Sequence, residues 1–276
     1  MAAVTRYWNG VGADNAFATA GNWVDAAAPV STDTVIFPAM ASASGVIVDG
    51  SDQSAILLVA TIVEPSCALT FGSRGIPLEL DTDAFTYEGS GASYFDIASC
   101  AELRIYSAAS GDTTNSYGFN LTGTSNTLLI VDPGSSGSVS LASLGDESLA
   151  CVTIQIVSGT VDMGDSLTVT TLYVDGGTVS SKTDVTTLQV AGGTFRQLKN
   201  NPTTLNVLGG RVYYNSTDVP TTVTLRGSAI LDMSEDGRAK TWQTVNLYDS
   251  ARIYDPGNVL TITTLNRYKG GTLSVS

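Results

Sequence analysis

The sequence predicts an all-β protein, a parallel β-helix (a solenoid) with an N-terminal capping segment. Three observations lead there. A phrase of the form Thr-Thr-Leu-x-Val-x-Gly-Gly-Thr recurs through the second half of the chain. Within each copy apolar and polar residues alternate, which is the period of a half-buried strand. The copies return every 16 to 22 residues, too short for a helix–turn–helix repeat and suited to one coil of a β-helix.

The plainest copies run from Thr170 to Val179, from Thr186 to Phe195 and from Thr203 to Val212. A weaker copy, Val152 to Val161, precedes them. Thr222 to Ile230, Thr244 to Ile253 and the closing Thr264-Leu265 with Gly270-Gly271-Thr272-Leu273 follow. The leading apolar position passes through Ile154, Leu172, Leu188, Leu205, Val223, Val245 and Leu265, at intervals of 18, 16, 17, 18, 22 and 20 residues. Stacking the coils should place Leu172, Leu188 and Leu205 in one interior column and Val174, Val190 and Val207 in a second. A third is expected from Val179, Phe195, Val212 and Ile230. The Gly-Gly pair between columns supplies the corner, because glycine takes positive φ without a Cβ clash. The β-helix is expected over residues 46–276, with its clearest repeats at 152–276, and residues 1–45 form the cap or attachment segment.

The first half has a different texture. Residues 46–48, 56–63, 67–71 and 76–80 read as strands closed by turn residues. Leu103-Arg104-Ile105-Tyr106 and Leu128-Leu129-Ile130-Val131 read as further rungs. Residues 81–95 and 106–127, rich in Ser, Thr, Gly, Asp, Asn and Tyr, read as long loops leaving the stack. Asp132-Pro133-Gly134-Ser135-Ser136-Gly137 is the best place for a hinge. Trp8, Phe17 and Trp23 suit a cap over the first rung, since large aromatics cover a solenoid end efficiently.

Composition removes several function classes. The 276 residues can bury a sizeable core. With 13 Lys and Arg against 26 Asp and Glu the net charge is −13. That sign argues against nucleic-acid or anionic-membrane partners, where basic residues supply most of the affinity. The acidic residues are scattered singly, as on a solvated folded surface. No apolar run is long enough to span a bilayer. The N-terminus, Met1 to Trp8, has no apolar signal core, so synthesis and folding in a cytoplasm are expected. Cys67, Cys100 and Cys151 are odd in number and widely spaced. They read as buried thiols, with no disulfide framework or zinc site.

Chemistry is equally restricted. There is no histidine, so Ser-His and Cys-His nucleophilic schemes and His-metal sites are excluded. No phosphate-cradling loop occurs, and the Gly-Gly pairs sit at strand corners instead of opening helices. The Gly-Gly-x-Gly-x-Asp calcium repeat of β-rolls is not met, because Gly176-Gly177-Thr178-Val179 lacks the third Gly and the Asp. Paired carboxylates remain, either Asp81 with Asp83 or Asp232 with Glu235 and Asp236, since β-helix enzymes that cleave polysaccharides use such pairs. Their composition is also that of a solvated turn, and the repeats should expose mostly Thr, Gln, Asn and Asp. The expectation is no enzymatic activity, no catalytic residue, no cofactor and no metal.

The opening Tyr7-Trp8-Asn9-Gly10, then Ala20-Gly21-Asn22-Trp23, then Pro29-Val30-Ser31-Thr32-Asp33-Thr34-Val35-Ile36-Phe37 resembles that of β-helical phage virion proteins of the capsid-decoration (cement) type. It is also similar to openings of bacterial surface β-repeat proteins. The resemblance covers about the first forty residues. It implies a structural virion protein, made in the host cytoplasm and bound to the major capsid protein on the capsid surface. A homotrimer fits the closing copy, where Leu265, Leu273 and Val275 are interior-type residues with no capping element after them. The alternatives are a tailspike or receptor-binding protein acting on host polysaccharide, or a bacterial surface adhesin.

Overall fold

A computed structural model describes residues 4–11, 16–30, 32–38, 47–48, 53–63, 70–71, 78–88, 94–106, 116–121, 126–141, 149–270 and 272–275. Among them, 23 strands join in one network of parallel ladders, and Ile47–Val48 pairs with Thr70–Phe71 apart from it. The molecule is a parallel β-solenoid with almost no helix. From residue 94 onward each coil gives one strand to a first sheet and one to a second. The first sheet starts with Thr5–Tyr7, Asp33–Phe37, Gln53–Val63 and Leu78–Glu88, and ends with Leu260–Tyr268. The second runs from Tyr94–Ser99 to Thr272–Val275.

The first interior column is the expected one, extended upstream. Phe85, Leu103, Leu129, Ile154, Leu172, Leu188, Leu205, Val223, Val245 and Leu265 stand in parallel register. Val174, Val190 and Val207 lie in a second column that passes upstream through Ile105, Val131 and Ile156 and continues to Leu225 and Leu247. Leu172, Leu188, Val190 and Leu205 are at most 1% exposed, and each such side chain contributes about 1.5–3 kcal/mol by leaving water.

The third column corrects one residue of the expectation. Val179, Phe195 and Val212 are in register, but the next member is Leu231, not Ile230. Ile230 pairs with Arg211 and faces outward. The cause is a longer corner. Val207 and Val212 are separated by four residues, whereas Leu225 and Leu231 are separated by five. The Gly-Gly corner gives way there to a turn closed by the Ala229 N–H on the Arg226 carbonyl at 3.1 Å, with Ala229 buried.

The upstream corners require glycine for two reasons. Gly193 has φ +70°, and a Cβ on it would lie 2.3 Å from the Gly177 carbonyl oxygen. That same oxygen accepts the Thr194 N–H at 2.8 Å, so it cannot move aside. Gly193→Ala should therefore cost about 2–4 kcal/mol, combining left-handed strain with overpacking. Gly237→Ala, where a Cβ meets nothing within 4 Å, should stay within about 0.5 kcal/mol of the parent. Urea unfolding of the two variants checks the difference.

The far corner of each coil is closed by side chains that end the second-sheet strands. Gln197 donates from Nε2 to the Lys199 carbonyl at 2.6 Å, and Tyr214 donates its hydroxyl to the Asp218 carbonyl at 2.8 Å. Asp255 accepts the N–H groups of Val259 and Leu260 at 3.0 and 2.9 Å. Each of these side chains is buried, and the bonds satisfy corner backbone that no ladder reaches.

The N-terminal aromatics pack together against the first rungs. Trp8, Phe17 and Trp23 are at most 1% exposed. Trp8 meets Trp23 edge-on at 5.2 Å, Phe17 meets Trp23 at 5.1 Å, and Trp23 sits 5.6 Å from Phe37 of the first sheet. Asp33 fastens the segment by accepting the Val4 and Val30 N–H groups at 3.2 and 3.0 Å and pairing with Arg6.

At the opposite end, Leu260, Ile262, Leu265 and Leu273 are only partly buried. Arg267 stands in register with Leu247, so an interior column of aliphatics ends on a guanidinium. Any coil stacked below it, from whatever chain, would have to accommodate that charge, and inward-placed charges oppose strand addition.

Two segments expected as loops contain strands. Leu78–Glu88, Tyr94–Ser99 and Ser116–Leu121 all lie in the parallel ladders. Their Ser, Thr and Tyr content resembles loop composition, yet strands with a solvated outer face carry such residues. The Asp132–Gly137 segment is a packed corner with ladders intact on both sides, Leu129 pairing with Ile154 and Val139 with Val161. Pro133 and Gly137 are buried there. Cys100 and Cys151 are buried, and burial pushes the Cys151 thiol up to about 11. Cys67 lies outside the described residues.

Candidate binding groove on the second sheet

The two sheets present different outer faces. On the first, Thr171, Thr187, Thr204, Thr222 and Thr244 align in register, with Gln189, Asn206 and Asn246 in the neighbouring column. This is the Thr, Gln and Asn surface the repeats predict. Such ladders are accounted for by cross-strand pairing.

The second sheet departs from it below residue 194. Its outward positions change from Thr178 and Ser180 to Thr194 and Arg196, then Arg211 and Tyr213, Ile230 and Asp232, and Arg252 and Tyr254. Arg211, Ile230, Arg252 and Tyr254 line a groove of about 350 Å³, within the size range of small-molecule sites. Its wall is braced from above. The Arg196 guanidinium lies 4.6 Å from the Tyr213 ring centre, and Arg211 donates from Nη1 to the Tyr213 hydroxyl at 3.1 Å.

Three of the carboxylates singled out by the sequence, Asp232, Glu235 and Asp236, face four different cations. Asp232, 2% exposed, has Oδ2 3.4 Å from Arg211 Nε and accepts the Ser234 N–H at 2.9 Å. Glu235 pairs with Arg196 at 2.9 Å and accepts from Asn215 at 3.1 Å. Asp236, 6% exposed, meets Lys240 at 2.6 Å and Arg238 at 2.7 Å. Burial pushes the Asp236 carboxyl up, but the Arg238 and Lys240 bonds outweigh it and hold it well below the usual carboxylate range. Arg196 likewise lowers Glu235. Glycoside cleavage needs one carboxyl kept protonated near neutrality, and neither of these two is held that way. Asp81 and Asp83 are on the strand Leu78–Glu88, and their side chains lie outside the described residues.

Arg211, Ile230, Arg252 and Tyr254 were not among the sequence candidates. The signal was the residue on each side of the third column, where Thr and Ser give way to Arg and Tyr. The longer corner before Ile230 masks it. Together the fold and this groove define a parallel β-solenoid with an arginine–tyrosine site on one lateral face. Set against family models, curated proteins and solved structures, the chain matches none.

Proposed function

We propose that the chain is a structural virion protein, a homotrimeric decoration subunit held on the outside of a phage capsid by the major capsid protein. The observation carrying this reading is the solenoid itself. It is a stack whose coil corners are closed by buried side chains and whose pairs Arg6–Asp33, Lys199–Asp165, Arg196–Glu235 and Arg211–Asp232 link different rungs, as suits a structural part. The acidic surface and the resemblance of the opening segment support it. The reading involves no catalysis, cofactor, nucleic acid or membrane. Quantitative mass spectrometry of purified virions tests it, together with sedimentation of the isolated chain. The expected result is a copy number in fixed ratio to the capsid subunit and a trimer in solution. A chain missing from virions, or a monomer present in a few copies, would defeat it.

The groove favours a second reading, a receptor-binding protein or adhesin that contacts surface polysaccharide. A few copies located at the tail, or presence on a bacterial surface, would select that reading.

A further inference from the structure

Two arginines flank an isoleucine on the outer face of the second sheet. Ile230 is in register with Arg211 on one side and Arg252 on the other, so the three side chains span three rungs at about 4.8 Å per step. Tyr254, 38% exposed, completes the lining of the groove.

The positive charge of this groove is incompletely matched. Arg196, Lys199, Arg238 and Lys240 each hold a carboxylate. The Arg252 guanidinium has no ion pair or hydrogen bond among the described residues. Arg211 gives Nη1 to Tyr213. Its Nε is buried without a hydrogen bond, because Asp232 Oδ2, at 3.4 Å, is in ion-pair range but not in line. Asp232, the carboxylate in ion-pair range of Arg211, is already bonded to the Ser234 N–H. In a chain of net charge −13, two guanidinium groups lining one groove, with spare donors, fit a negatively charged ligand.

We propose that this groove binds an acidic saccharide. Its carboxylate is held by Arg252 and Arg211, and the C–H face of its ring lies on Tyr254 and Ile230. The guanidinium fork matches a carboxylate bidentately, while the tyrosine ring and the isoleucine supply apolar contact of the kind that orients a small ligand. A peptide fits less well. Extended peptides dock by adding a strand to a sheet edge, and here the backbone on both sides of Ile230 is already paired to neighbouring rungs. The inference does not depend on the virion reading. Binding is measured on the isolated chain, so either can fail without the other.

The test is isothermal titration of the full chain with four probes: trigalacturonate, trisialic acid, neutral maltotriose and triglutamate. At least one acidic trisaccharide should bind saturably, and at least about tenfold more tightly than maltotriose or triglutamate. Raising the salt to about 0.5 M should weaken that binding. Arg252→Ala and Tyr254→Ala should each weaken it at least about tenfold, with melting transitions equal to that of the parent. Arg211→Ala is set aside as the decisive variant because it strips the buried Asp232 of its cation. Three results would overturn the proposal. They are no saturable binding of either acidic trisaccharide, equal binding of triglutamate, and unchanged binding in either exposed-residue variant.

Discussion

Leu188→Asp should yield no soluble folded protein. Leu188 is 1% exposed and lies between Leu172 and Leu205 in the first interior column. Removing the isobutyl group alone costs about 2–5 kcal/mol. The carboxylate put in its place has no cation within the column and cannot reach water, which adds several kcal/mol or forces protonation. A domain of this kind is stable by about 5–15 kcal/mol in all. Each rung touches only its neighbours, so the lesion divides the stack and leaves two open apolar ends. Circular dichroism and the soluble fraction after expression measure the outcome. Leu188→Ala should fold and lose about 3 kcal/mol, which separates the charge from the missing volume. A soluble Leu188→Asp protein with the parent's cooperative melt would count against the column.

Asp236→Asn should cost about 3–5 kcal/mol, because it strands the buried Lys240 ammonium. The Lys240 side chain is 1% exposed, and its Nζ lies 2.6 Å from Asp236 Oδ2. The pH dependence follows from the same pair. The Asp236 carboxyl titrates lower in the folded chain than its ordinary value, about 3.9. The folded state therefore holds fewer protons than the unfolded one in this range. The contribution is complete above pH of about 4 and drains away as the pH falls further. Asp33 acts in the same direction. Burial pushes it up, but Arg6 and the Val30 and Val4 N–H groups together pull it down. Unfolding free energies measured between about pH 2 and 6 should fall steeply at the acid end for the parent and less steeply for Asp236→Asn. Parallel curves would remove Asp236 from the account.

How much of this was legible in the sequence follows the regularity of the corners. Between Val152 and Val212 each coil turns on the same glycine geometry, so aligning the phrase also aligned the columns. At Leu225 the corner gained a residue, and the alignment slipped by one, sending Ile230 to the wrong face. A single slip in a strand exchanges inside for outside, so the repeat hides the groove. In the first half the strands Leu78–Glu88 and Ser116–Leu121 have the composition of loops, and no repeated corner contradicts that impression. The buried ends Gln197, Tyr214 and Asp255 were illegible for another reason. Their partners are backbone groups of an irregular corner, which no periodicity predicts. Glu235 pairs with Arg196, far earlier in the chain, whereas Asp236 is held by Arg238 and Lys240 of its own turn, so sequence could group the carboxylates without revealing that they answer to different cations.

The glycine corner has a consequence for length. Gly177, Gly193 and Gly210 each pack on the glycine carbonyl one coil earlier, and the coils in that stretch share their column residues. The junction above a coil is therefore interchangeable with the junction below it. A duplicate of residues 175–190 inserted after Val190 would meet a familiar surface at both faces. It would extend the rod by about 4.8 Å without disturbing the aromatic plug at one end or the arginine–tyrosine groove nearer the other. In this stretch the chain behaves as a gauge assembled from equal blocks, and the distance between its two ends is a number that gene duplication can count out.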